Sequence, residues 1–185
     1  MNHIFEDILV PFVAVAVAEL GDKTQLSILL LSSKTQKHMY LLLGVLLAFL
    51  IVDGIAIAAG SWITSIIPLQ IMKIISGILF IVFGSVMLIR KEKDAEQKKT
   101  YNNAFISGFF LIFLAEWGDK TQIASGLFGT QYDAVMVLCG TILALALVSI
   151  MAVYFGKIIA ERINKKLLTR AAAVIFIIMG IMFFF

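Results

Sequence analysis

The sequence predicts an all-α polytopic membrane protein, with six transmembrane helices arranged as two inverted three-helix repeats. Three observations support this fold class. Hydrophobic residues make up 61% of the 185 positions and charged residues only 15%, against roughly 45–50% and about 25% in soluble chains. The apolar residues form six long runs, and mean hydropathy is +1.02. One motif also occurs twice, in the first and the fourth run.

Each apolar run is close to the ~20 residues that an α-helix needs to cross ~30 Å of hydrocarbon. The predicted spans are residues 8–31, 40–62, 69–89, 104–128, 134–159 and 167–185. Strands are a poor alternative, because the runs lack polar–apolar alternation and are too long for barrel strands. Since the spans take up nearly the whole chain, a large extramembrane enzyme domain or nucleic-acid-binding domain is excluded.

The basic residues predict the orientation of the spans. Twelve of the fifteen lie in loops one, three and five: Lys34, Lys37, Arg90, Lys91, Lys93, Lys98, Lys99, Lys157, Arg162, Lys165, Lys166 and Arg170. Because basic loops tend to stay in the cytoplasm, these three loops are predicted to be cytoplasmic and both termini to lie outside. The N-terminus lacks the basic segment of a signal peptide, so the first run is predicted to be a retained span.

The repeated motif divides the chain into halves. The segment AELGDKTQ at residues 18–25 returns as AEWGDKTQ at 115–122, with seven of eight positions identical. Weaker echoes follow in register, for example Gly44 with Gly140.

The predicted organisation is a first three-helix repeat at 1–90, a charged linker at 91–102 and a second repeat at 103–185. Since three spans per half is an odd number, the halves enter the membrane from opposite sides. Inverted repeats of this kind are typical of alternating-access transporters, whose site lies at the midplane.

Each motif places ionisable groups near the middle of a span, where one Asp or Lys costs ~2.5–3.5 kcal/mol on translocon scales. Glu19, Asp22 and Gln25 are three residues apart, which predicts that they share one face of a helix. The same spacing recurs in the second motif. The candidate metal ligands are Glu19, Asp22, Gln25, Glu116, Asp119 and Gln122.

The type of donor atom indicates the type of ion. All candidate donors are oxygens, and the two histidines, His3 and His38, fall near opposite membrane faces. Hard divalent cations such as Mn²⁺, Ca²⁺ and Mg²⁺ suit oxygen ligands, and this chemistry does not rank Mn²⁺ above Ca²⁺. The single cysteine, Cys139, excludes an intramolecular disulfide and a Cys-based metal site. We expect it to be a small buried residue.

Further polar residues are candidates for supporting the ligands or for proton coupling: Lys23, Thr24, Asp53, Lys120, Thr121 and Ser125. The lysines partly neutralise the acids. Asp53 lies in the middle of span two and is an extra ligand, a proton relay or a lysine partner. Gly21 and Gly118 weaken their helices, which permits a break, a close helix approach or exposed carbonyls. Carboxylates in a dehydrated cavity repel one another and bind protons readily, so such a site can exchange protons for a cation.

The doubled motif resembles that of the GDT-type cation/proton exchangers, which include Golgi manganese/calcium transporters and bacterial manganese exporters. Their pattern is E-x-G-D-(K/R)-(T/S), once in each half, and both copies here match it. The resemblance implies a divalent cation/proton antiporter that exports Mn²⁺, with Glu19, Asp22, Glu116 and Asp119 as acidic site residues. It covers essentially the whole chain. The extra leading span of eukaryotic members is missing, so a bacterial inner (plasma) membrane is the expected location.

Other classes remain open on the residues alone. In one alternative, the motif charges only form structural contacts between helices. In two others, the chain is a LysE-like exporter of a small amino compound or a cation channel without proton coupling. An intramembrane enzyme is not expected, because H-E-x-x-H and G-x-S-x-G are absent. The expected partners are a divalent cation and protons as substrates and membrane lipid, with no nucleic acid and no resident cofactor. The sequence leaves the oligomeric state open.

Overall fold

The computed structural model describes residues 2–33, 35–89, 103–155 and 165–184, and every regular element in these ranges is helical. The helices are α1 (Asn2–Glu19), α2 (Lys23–Ser32), α3 (His38–Ile63), α4 (Leu69–Ile89), α5 (Ala104–Ala115), α6 (Lys120–Gln131), α7 (Ala134–Ile150) and α8 (Lys165–Met182). A π-helical segment, Met151–Phe155, follows α7 directly. The predicted all-α class is confirmed.

The helix boundaries follow the predicted spans where the chain is continuous. α4 has the predicted limits, residues 69–89, because Pro68 precedes it and its carbonyl accepts hydrogen bonds from the N–H groups of Ile71 and Met72 at 3.0 and 3.2 Å. α7 and the π-helical segment follow the fifth prediction to residue 155. The predicted linker at 91–102 and the basic residues within 156–164 lie outside the described residues.

The first and fourth predicted spans are each two helices rather than one. The chain leaves α1 at Glu19 and re-enters a helix at Lys23, and the interruption between α5 and α6 falls at the same place in the second motif. Gly21 and Gly118 have φ angles of +77° and +75°, a region that glycine adopts without steric cost. The prediction that each motif lies along one face of a continuous helix is therefore wrong. The break, one of three consequences expected of these glycines, is present at both sites.

Two helix pairs are built in the same way. α3 packs against α5, and α7 packs against α1. Gly44 on α3 lies against the backbone carbonyl of Phe105, and Gly140 on α7 lies against the backbone carbonyl of Ile8. A Cβ at either glycine would collide with that oxygen, so glycine permits the close approach of the helices.

Helix α6, which begins directly after Asp119, lies in the interior of the bundle. It packs against α1, α3, α4 and α7. Its polar residues Thr121, Ser125 and Thr130 are buried, and it has no large exposed apolar side chain among its described residues.

The other long helices expose apolar surface, as expected of a protein in lipid. Examples are Leu47 on α3 and Ile178 on α8. Two stretches, His38–Ile63 and Ala134–Phe155, are individually long and apolar enough to cross a membrane. α5 and α6 have 12 residues each, which is about 18 Å of helix against ~30 Å of hydrocarbon.

Cys139 belongs to the exposed apolar surface of α7, so the expectation that it is buried is wrong. It lies four residues from Val135 and from Leu143, both of which are exposed. These three positions share one side of the helix because residues i and i+4 are neighbours on its surface.

Candidate cation-binding site

The first break is closed by hydrogen bonds within its own motif. The backbone N–H of Asp22 donates to the carbonyl of Glu19 at 3.1 Å, which makes a tight turn after α1. The side-chain Oε1 of Gln25 accepts a hydrogen bond from the backbone N–H of Gly21. The amide of Gln25 therefore ties the first turn of α2 to the glycine that interrupts the helix.

The second break repeats these interactions. Asp119 N–H donates to the carbonyl of Glu116 at 3.1 Å, and Gly118 N–H donates to Oε1 of Gln122 at 2.6 Å. The two motifs therefore have the same local fold as well as the same sequence.

The amide nitrogens of the two glutamines reach equivalent carbonyls on neighbouring helices. Gln25 Nε2 donates to the carbonyl of Val148 at 3.5 Å, and Gln122 Nε2 donates to the carbonyl of Val52 at 3.3 Å. Both glutamines therefore stabilise the breaks, a role that was not predicted for them. The two valine carbonyls were not predicted either, although Val52 and Val148 have the same register in the repeat as Gly44 and Gly140.

Each threonine of the motif pairs with the glutamate of the other motif. Thr24 Oγ1 donates to Glu116 Oε1 at 2.7 Å, and Thr121 Oγ1 donates to Glu19 Oε1. Glu19 and Glu116 are both 2% exposed, so these hydroxyls orient carboxylates that have little contact with solvent. The site is thus assembled from both halves of the chain.

Three carboxylates converge at the breaks and form what we call the carboxylate cluster. Glu19, Asp22 and Asp119 each offer one oxygen, and these three oxygens all lie within 4.8 Å of one another. Glu116 is close enough for its charge to interact with those of Glu19 and Asp119. The N-terminal ends of α2 and α6 lie beside the cluster. Because the helix dipole gives these ends a partial positive charge, they favour negative charge there.

Lys120 provides the positive charge observed within the cluster. Its Nζ is 3.5 Å from Glu19 Oε1 and 3.4 Å from Asp119 Oδ2, and it also forms an ion pair with Asp22. The side chain of Lys120 is 17% exposed. The side chain of Lys23, its counterpart in the first motif, lies outside the described residues.

Asp53 and Ser125 lie beside the cluster rather than in it. Asp53 on α3 is 2% exposed and Ser125 on α6 is fully buried. The hydroxyl of Ser125 lies close enough to the Asp53 carboxylate to interact with it. Asp53 is close enough to Glu19 and Asp119 for their like charges to repel. Helix α3 therefore also contributes a carboxylate near the site.

The sequence of the chain is similar to those of known transporters. A family model described as "Divalent cation/proton antiporter GDT1" matches residues 7–95 and 104–185. A protein of Vibrio cholerae named "Putative manganese exporter" is 32% identical over 182 residues, which cover 97% of this chain and 91% of the relative. A GDT1-like protein of Synechocystis is 27% identical over 189 residues, covering 90% and 91%. No solved structure gives a significant match to the chain.

Proposed function

Because the chain belongs to the GDT1 family of divalent cation/proton antiporters, we propose that it exports cytoplasmic Mn²⁺ in exchange for protons by alternating access. The family consists of transporters and not of enzymes. The name of the Vibrio cholerae relative supports Mn²⁺ as the substrate. Ca²⁺ is the second candidate ion, because oxygen ligands accept both.

The observation that carries this proposal is the convergence of Glu19, Asp22 and Asp119 on one point. Carboxylate oxygens that lie this close repel one another unless a cation or protons balance their charge. Asp22 and Asp119 are partly exposed, which leaves an approach for an ion. A cluster that holds either a divalent cation or protons meets the minimal requirement of an antiporter.

The proposed ligands are these three carboxylates together with Glu116, which Thr24 orients. Gln25 and Gln122 belong to the proposed set through the second lone pair of each amide oxygen, since one is used by a glycine N–H.

The proposed architecture is six spans in two inverted repeats, joined by the linker. α1 with α2, and α5 with α6, each form one interrupted span whose break lies near the midplane, as in other transporters with broken helices. The equal turns at the two breaks and the paired threonine–glutamate hydrogen bonds support this arrangement. In the proposed orientation, loops one, three and five lie in the cytoplasm and both termini lie outside, and the membrane is a bacterial inner membrane.

The proposal is tested by reconstituting the purified chain in proteoliposomes, with Mn²⁺ flux and internal pH recorded together. Proton counterflow should accompany Mn²⁺, and also Ca²⁺ if both are carried. Glu19→Gln and Glu116→Gln should each abolish coupled flux. Glu6→Gln is the control, since Glu6 is exposed on α1.

Each alternative gives a different result in this assay. Metal flux without proton counterflow would indicate a channel, and transport of a small amino compound without metal flux would indicate a LysE-like exporter. Near-normal coupled flux in both glutamate variants would refute the site assignment.

A further inference from the structure

The ammonium group of Lys120 lies where a bound cation would have to lie. It contacts all three members of the carboxylate cluster, whose nearest oxygens are within 4.8 Å of one another. A metal ion takes carboxylate oxygens at about 2.0–2.6 Å, so an ion bound by these three groups would be at their centre. Two cations cannot share that position, because at such short separation they repel strongly.

The position of Lys120 in its own helix argues against a local structural role. It is the first residue of α6, where the helix dipole disfavours a positive side chain. Asp119, the residue before it, makes no side-chain capping hydrogen bond to the helix. The position of Lys120 is therefore explained by the carboxylates that it contacts and not by stabilisation of the N-terminal end of α6.

We propose that Lys120 is a tethered substitute for the transported cation, which occupies the carboxylate cluster when it is empty and is displaced when the divalent ion binds. This inference rests on the proposed function. One monovalent ammonium balances less of the charge of three carboxylates than a divalent ion does, so the ion can replace it. Because the side chain is attached to α6, the competition is intramolecular and is not diluted away.

The consequence for transport concerns release of the ion. Without an internal cation, departure of the metal would leave the carboxylates of the cluster uncompensated until protons bind, which is unfavourable. Return of the ammonium lowers that cost. Lys120 thereby trades affinity for faster release, and its loss should tighten binding while slowing turnover.

The test measures equilibrium Mn²⁺ binding to the detergent-purified chain by isothermal titration calorimetry. Lys120→Gln should bind Mn²⁺ more tightly by at least about tenfold. In proteoliposomes the same variant should show a lower KM for Mn²⁺ and a lower maximal flux. The matched control is Lys73→Gln, which removes an exposed lysine from α4 and should leave both quantities unchanged.

A second variant and a second measurement guard against misfolding. Lys120→Met keeps the length of the side chain and should give the same tightening. A structure of the unmodified chain with Mn²⁺ bound should place Lys120 Nζ beyond ion-pair distance of Glu19.

Two outcomes would contradict the proposal. Unchanged or weaker Mn²⁺ binding in both Lys120 variants, with normal binding by the unmodified chain, would overturn the role of Lys120 and leave the proposed function intact. An unmodified chain that neither binds nor carries a divalent cation would overturn both.

Discussion

The hydroxyl of Thr24 donates a 2.7 Å hydrogen bond to the carboxylate of Glu116, 92 residues away in the chain. It joins the first turn of α2 to the residue that caps the C-terminal end of α5. The reciprocal bond from Thr121 to Glu19 joins α6 to α1. A movement of one half of the chain against the other has to alter these contacts, so they couple the geometry of the acids to the relative position of the halves.

Removal of the Thr24 hydroxyl should therefore impair transport more than stability. Thr24→Val keeps the shape of the side chain but leaves Glu116 without this donor. A hydrogen bond to a charged group contributes about 1.5–3 kcal/mol, which corresponds to a loss of roughly ten- to hundredfold in Mn²⁺ flux at low substrate concentration. The measurement is initial flux in proteoliposomes at matched protein density.

Thr24→Ser is the matched control for this prediction, since it retains the hydroxyl and loses a methyl group. It should keep most of the flux. If Val and Ser variants are equally impaired, the methyl packing of Thr24 matters and its hydrogen bond to Glu116 does not.

The sequence predicted the identity of the clustered acids but not their arrangement. Three-residue spacing predicted that Glu19 and Asp22 share a helix face. That prediction is wrong because the positive φ of Gly21 takes the chain out of the helix between them. The span limits were predictable where hydropathy changes sharply, as at Pro68 before α4. Contacts between distant segments, such as Lys120 with Asp22, depend on tertiary packing that spacing along one chain does not encode.

Gly118→Ala should destabilise the protein through the backbone alone. A Cβ at this position would have no described atom within 4 Å, so no collision is introduced. An alanine at φ +75° is nevertheless strained, at a cost of about 1–2 kcal/mol. The apparent melting temperature should fall by several degrees for a chain of this size. Thermal unfolding followed by intrinsic fluorescence measures the shift.

Gly54→Ala is the control for that substitution. Gly54 lies inside α3, and its Cβ would be in ordinary contact with Leu138 at 4.0 Å. Alanine is favoured over glycine within a helix by roughly 0.5–1 kcal/mol, so this variant should be at least as stable as the unmodified chain. Equal destabilisation of both variants would contradict the role given to the positive φ of Gly118.

Binding of Mn²⁺ should stabilise the protein through Asp22. A ligand at 100 times its dissociation constant stabilises the folded state by about 2.7 kcal/mol. Asp22→Asn removes one charged oxygen donor of the carboxylate cluster and should abolish this gain, whereas Glu6→Gln should keep it. The measurement is the melting temperature with and without Mn²⁺, with a chelator to reverse the effect. An undiminished shift in Asp22→Asn would exclude Asp22 as a ligand.

Asp53 should be required for transport but not for binding. It lies beside the carboxylate cluster on α3, and the equivalent position on α7 is Ser149, so the site has an acid on one side that it lacks on the other. Asp53→Asn keeps the shape of the side chain and removes its charge. Coupled flux should fall about tenfold or more, as for other residues that support a metal site, while stabilisation by Mn²⁺ persists. Ser149→Ala should change neither. Loss of Mn²⁺ stabilisation in Asp53→Asn would instead make Asp53 a ligand, and unchanged coupled flux would make its role structural.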